Sequence, residues 1–338
     1  MTSIANARVG LAGAVGLALL FPGSGWAAAT VVHTLKQPLA SYAPIYVAAA
    51  QGFDRDNGLK FDLIDIPTGA QNYGPLISGS LDVSSCVLDT VANLRMQGKN
   101  LISIYSLVDR PSVDLVLANA AMKGGITPQS PLKDRLRMLR GLKFGITTPH
   151  SPSDGFLRAI LHEAGLDPEK DVQIVRIGSL AGLFAALKSG QIDGYVLSPP
   201  SPQQAEKAGV GKVFIDLSKG ELPSLAHMDY MTLCSTNDFV ERHPDTVRAF
   251  VKAIQQGNDW MRAHRGETEQ IMQQPFPNVP SDVWAMSFPA LMPTISEDGR
   301  FDAAQVANTY KIYLAIGQIS KLPDANEGVT GTNRFLAK

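Results

Sequence analysis

The segment Ser151-Pro152-Ser153-Asp154 has the residues of a helix start: Ser at the cap, Pro at the first position and Asp at the third. Free backbone N–H groups and a partial positive charge at such a start suit a sulfonate or carboxylate. Plain capping is the other use of the same residues. His150 stands beside it and could bond an acid ligand or simply lie on the surface. Tyr42, Tyr73 and Tyr230 could offer ring faces for stacking, or belong to the core. Lys36 and Arg110 are the only Lys or Arg in or beside the first-half loops considered below, so the niche does not read as a strongly basic anion trap. Cys86 and Cys234 fall on strand-like runs. Two buried thiols are the expectation, because strand centres rarely place sulfurs well for a bridge; a disulfide stays open in an oxidising compartment. The chain has no phosphate-binding loop, zinc-protease helix or serine elbow. Ser130-Pro131-Leu132-Lys133 matches Ser-x-x-Lys without its partner motifs and reads as a helix start. With 2 cysteines in all, no multi-cysteine zinc site is possible, and neither a metal nor a cofactor is expected.

The elements that must position these residues alternate. Strand-like runs cover 31–35, 59–66, 81–87, 101–108 and 113–118, with helix-like runs at 44–57, 72–78 and 88–97. A polar, Gly/Pro-rich stretch follows at 119–131. A second series then places strands at 142–147, 172–177, 192–197 and 212–217 between helices at 153–164, 180–189 and 202–208. A late strand is expected at 229–235, a long helix at 244–263 and a loose tail at 326–338. This order predicts largely parallel sheets with helices on both faces. Ligands of open α/β sheets sit beyond the carboxyl ends of strands. That rule nominates Gln37, Pro38, Ser41 and Tyr42, then Gly69 and Gln71, then Leu88 and Asp89. In the second series it nominates Thr148, His150, Ser151 and Ser153, then Ser198 and Pro200; Tyr230 joins them from the late strand.

An internal echo links the two series. Leu76-Ile77-Ser78-Gly79-Ser80-Leu81-Asp82 is repeated as Leu187-Lys188-Ser189-Gly190-Gln191-Ile192-Asp193. Each copy ends a helix with Ser-Gly, where glycine takes the left-handed conformation, and opens a strand with an apolar residue and Asp. Duplicated architecture is the reading.

The chain has 338 residues, about two domains' worth, and its 30 Lys+Arg nearly balance 31 Asp+Glu. A net charge of -1 argues against nucleic acid as a partner. Arg8, the apolar run 9–21 and the small residues after Pro22 have the layout of a secretory signal. The run is well short of the ~20 residues a spanning helix needs. Residues 1-29 therefore read as a signal peptide cleaved near Ala27 or Ala29, giving an exported chain.

With these residues on the page, the chain resembles periplasmic substrate-binding proteins of ATP-driven (ABC) importers, the group for nitrate, aliphatic sulfonates, taurine and thiamine pyrimidine precursors. The resemblance is carried by 44–89 (Pro-x-Tyr-Val-Ala, Gly-Phe…Gly-Leu, Leu-x-x-Gly-x-x-Asp), by 141–167, by IDGYVLSPP at 192–200 and by 240–254. It implies an α/β, two-lobed periplasmic-binding-protein fold (type II), with two hinge strands near 114–118 and 230–235 and a ligand cleft between the lobes. Lobe 1 would comprise 30-118 plus 230-338, and lobe 2 would comprise 119-229. It also implies a monomeric periplasmic receptor for a small-molecule ligand, with a sulfonate or related organic acid first and a pyrimidine second. The partner would be the membrane permease of an ABC importer, or a receptor in a sensing role. Two enzyme types of this fold, a sulfinate-cleaving one with a nucleophilic cysteine and a cysteine-rich pyrimidine-precursor synthase, lack their cysteine patterns here.

Overall fold

The computed structural model describes residues 29–66 and 69–337, so the expected export signal lies, up to residue 28, outside the described residues. Ten strands occur among the described residues: β1 (Thr30–Lys36), β2 (Leu59–Asp65), β3 (Ser84–Cys86), β4 (Leu101–Val108), β5 (Asp114–Ala118), β6 (Lys143–Ile146), β7 (Gln173–Arg176), β8 (Gly194–Leu197), β9 (Gly211–Asp216) and β10 (Met231–Thr236).

They make two sheets of one design. β1 and β2 pair in parallel, and β3, β10 and β4 pair in that order. A parallel bridge from Thr34 to Val83 joins the two groups into the order β2-β1-β3-β10-β4. The other sheet runs β7-β6-β8-β5-β9. Replacing β1–β4 by β6–β9 turns one order into the other. In each sheet one strand runs antiparallel to its neighbours, β10 in the first and β5 in the second.

The echo explains the match. The helices Tyr73–Ser78 and Leu180–Lys188 precede it, and Gly79 and Gly190 carry φ 79° and 73°. Only glycine adopts that conformation at little steric cost. The following aspartate binds back: Asp82 Oδ2 accepts the His33 N–H, and Asp193 Oδ2 accepts the Lys143 N–H, each at 2.8 Å.

Three expectations change. Residues 114–118 were placed at the end of lobe 1, yet β5 hydrogen-bonds to β8 and β9 and is a strand of the second sheet. The crossings are thus 109–113 and 217–230, irregular segments beside the strands. The helix expected over 44–57 breaks at Gly52, with φ 84°, into Ala43–Gln51 and Phe53–Asp56. The tail is not loose: Ser103 N–H donates to the Thr330 carbonyl at 2.8 Å, Thr332 N–H donates to the Ser103 carbonyl at 2.9 Å, and Phe335 is buried.

The core explains the remaining order. β4 ends the order of its sheet yet is buried along its whole length, because residues 295–299 and 330–332 bond along its free edge. The helix Pro244–Ala263 turns Val247, Phe250, Val251, Ile254, Gly257 and Met261 inward at helical spacing. Gly257 lets it touch Ala43–Gln51 directly, since a Cβ there would lie 2.3 Å from the Pro44 carbonyl oxygen.

Candidate functional site

The carboxyl ends of both sheets face each other across a cleft that is closed in this structure. Ala40 N–H, after β1, donates to the Pro199 carbonyl, after β8, at 3.1 Å. Ser198 and Tyr230 hydroxyls lie 3.3 Å apart, and the Phe156 and Tyr230 rings meet edge-on with centroids 5.0 Å apart. Away from the cleft, Gln203 accepts from Ser287 at 3.5 Å and Lys207 pairs with Asp282. Inside remains a cavity of about 50 Å³, walled by both sheets and both crossings. Open grooves of about 600 and 700 Å³ lie outside it, around Asp109 and Arg110 of the first crossing.

The first lobe supplies polar atoms that lack partners. Gln37 is held by its backbone: its N–H donates to Tyr46 Oη at 2.8 Å, and Tyr46 Oη–H donates to its carbonyl at 2.9 Å. Its buried side chain lines the cavity, and Nε2 has no partner among the described residues. Asn72 lines it too. Its Nδ2 donates to the Ser85 carbonyl at 3.1 Å while the buried Oδ1 has no partner. Such groups cost about 1–3 kcal/mol each when left unmet. Tyr42 and Ser85 share a 2.6 Å hydroxyl contact on the same wall. Burial pushes the Tyr42 and Tyr73 hydroxyls well above the usual tyrosine range, and the Tyr230 hydroxyl up to about 12, so all three stay neutral donors.

The second lobe supplies polar atoms that satisfy one another. Ser153 Oγ accepts the Thr147 N–H at 3.0 Å, Thr147 Oγ1 donates to Ser151 Oγ at 2.9 Å, and Ser151 and Ser153 hydroxyls lie 2.8 Å apart. The helix Pro152–Glu163 begins here. Asp154 does not cap it: its carboxylate accepts from Arg158 Nε at 2.7 Å and from the His150 N–H at 2.8 Å.

Of the nominated residues, Gln37, Tyr42, Ser153, Ser198 and Tyr230 line the cavity. Asp89 and Ser151 line a small apolar space beside it. Ser41 is buried against Met231, with its hydroxyl 3.5 Å from the sulfur. Pro38 and Pro200 lie in loops and Leu88 begins the helix Leu88–Met96, none of them reaching the cavity, and Gln71 is exposed; Leu39 and Asn72, one position on, take the places of Pro38 and Gln71. Gly69 opens a short 3-10 turn. Thr148 Oγ1 is buried without a partner, outside the wall. His150 is exposed, its φ of 62° turning it outward. Leu180, the first residue of its helix, and Val113, just before β5, also line the cavity and were missed because apolar side chains carry no chemical signal.

The expectation of two thiols is overturned. Cys86 and Cys234 form a disulfide, with Cα atoms 5.8 Å apart, inside the usual range. β3 and β10 are neighbours, and the two cysteines lie diagonally on one face. Cys86 lines the cavity, but as a disulfide it offers no thiolate for a cysteine-nucleophile reaction.

Residues 37–274 match the model of the NMT1-like family. The periplasmic nitrate-binding protein NrtA from Synechocystis PCC 6803 superposes with a TM-score of 0.64 at 18% identity, over 75% of this chain and 69% of that one. The periplasmic aliphatic sulphonate binding protein SsuA from Escherichia coli superposes with a TM-score of 0.67 at 18% identity, over 88% of this chain and 96% of that one. The two-lobed fold of periplasmic binding proteins is therefore the fold of this chain. In sequence, the chain is 24% identical over 237 residues to the 4-amino-5-hydroxymethyl-2-methylpyrimidine phosphate synthase THI12 of Saccharomyces cerevisiae, covering 67% of this chain and 65% of the relative. Across these curated relatives it spans between 32% and 65% of their own lengths.

Proposed function

The chain belongs to the NMT1-like family, and from that premise we propose that it is an exported, monomeric solute receptor. It captures one small organic molecule between its lobes and delivers it to the permease of an ABC-type importer. The observation that carries the reading is the pair of buried, unpartnered amide atoms, Gln37 Nε2 and Asn72 Oδ1, both in the cavity wall. A donor and an acceptor left unmet in a closed cleft have a use when a ligand supplies the complement. The crossings 109–113 and 217–230 carry the rotation that opens the cleft. The resemblance to sulfonate and nitrate receptors supports an organic acid as ligand; the tyrosines around the cavity support a pyrimidine.

A thermal-shift screen of the mature chain against sulfonates, carboxylates, nitrate and pyrimidines tests the reading. A rise in unfolding temperature with one class, lost in Gln37→Ala, is expected. No rise with any class would overturn it. Release of product from a hit would replace receptor by enzyme.

A further inference from the structure

The wall of the cleft holds a charge of the wrong sign for an oxyanion receptor. Asp89 opens the helix Leu88–Met96 in the first lobe, is 7% exposed, and faces the small space beside the cavity. That space and the cavity share Val87 and Pro152 in their walls. Thr90 binds one carboxyl oxygen only: its N–H reaches Oδ1 at 2.6 Å and its hydroxyl reaches the same atom at 3.3 Å. Its own backbone N–H bears on the carboxylate as well, and among the described residues no side chain donates to Oδ2. Among the described residues walling the two spaces, none is Lys, Arg or His. The tyrosines around it, Tyr73, Tyr230, Tyr310 and Tyr313, have hydroxyls raised first by burial and further by the Asp89 charge, so they stay neutral and offer it no counter-charge. Burial without a cation raises the carboxyl itself to about 6, so at neutral pH it is ionised and lacks a counter-charge.

We infer that Asp89 makes this cleft select a small molecule bearing a nitrogen donor, an amine, amidine or amino-heterocycle, and reject oxyanions. The inference rests on the receptor reading above. A nitrogen donor completes the free side of the carboxylate with a charge-assisted hydrogen bond. An oxyanion beside the same carboxylate meets repulsion that no cation in the wall relieves. Gln37 Nε2 and Asn72 Oδ1 then read the remaining edge of the molecule.

Calorimetric titration of the mature chain with benzamidine, 4-aminopyrimidine, ethanesulfonate and nitrate tests this. Heat from at least one of the two bases and none from the two anions is expected. Asp89→Asn should weaken the base about 10- to 100-fold. Benzamidine stays protonated throughout the range used, so its affinity for the unaltered chain should fall about tenfold from pH 7 to pH 5 as the carboxyl near 6 takes up its proton. This second readout needs no variant to fold. Binding of an anion by the unaltered chain, unchanged in Asp89→Asn, would overturn the role of Asp89 and leave the receptor standing. Silence from all four probes would overturn both.

Discussion

Both lobes run a helix into a left-handed glycine and then tie the next strand with an aspartate, Asp82 in one and Asp193 in the other, at the same 2.8 Å. At the cleft the two part. The first lobe presents Gln37 Nε2 and Asn72 Oδ1 without partners and Asp89 bonded on one side. The second presents Thr147, Ser151 and Ser153 closed on each other. A duplicated scaffold thus carries unequal polarity. In the proposed receptor the first lobe holds the groups a ligand would satisfy, and the second covers them with a self-contained surface. Only the first lobe has a disulfide, and it lies beside those groups.

That contrast can be broken in four places. The largest effect is expected from the bridge: Cys86→Ala with Cys234→Ala should lower the unfolding free energy by about 2–5 kcal/mol in urea denaturation. An unmoved midpoint would mean the first lobe gains nothing from it. Next come the equivalent turns. Asp82→Ala and Asp193→Ala should each cost about 1.5–3 kcal/mol, since each removes a charged acceptor from a strand N–H; a cost confined to one lobe would end the equivalence. Then the cleft: Gln37→Ala should weaken ligand affinity about tenfold at little cost to stability, while Ser153→Ala should lower stability and leave affinity within about threefold. The reverse pattern would move the ligand-reading groups to the second lobe.

The smallest effect is in pH. A buried carboxyl whose folded pKa is raised holds its proton where the unfolded chain has lost it. The stability it contributes is complete below about 4 and is lost as pH climbs through its folded pKa, near 6 for Asp89. Asp229 before β10 and Asp114 on β5, both also raised by burial, prolong the loss at higher pH. Ligand-free unfolding temperature should therefore fall from pH 4 to pH 6, and less steeply in Asp89→Asn. A steeper fall in that variant would contradict the assignment.

The duplicated fold was legible because the echo is local: Ser-Gly-x-apolar-Asp dictates a helix stop, a turn and a strand start within seven residues. The loops of the site were legible for the same reason, since they follow strands. Which side chain turns inward was not. Asn72 rather than the adjacent Gln71, and Leu39 rather than Pro38, follow from the short 3-10 turns that place them. The disulfide was hidden because β3 and β10 become neighbours only after the second lobe has been threaded between them, 148 positions apart. The boundary between the two lobes was misplaced likewise: β5 reads as one more strand of the first series until its pairing between β8 and β9 is seen.

The central claim is that two lobes close on one small solute. Small-angle X-ray scattering of the mature chain tests it most directly, first alone and then saturated with the screened compound that raises the unfolding temperature most. The account predicts a smaller radius of gyration in the saturated sample. An unchanged radius beside a raised unfolding temperature would contradict it.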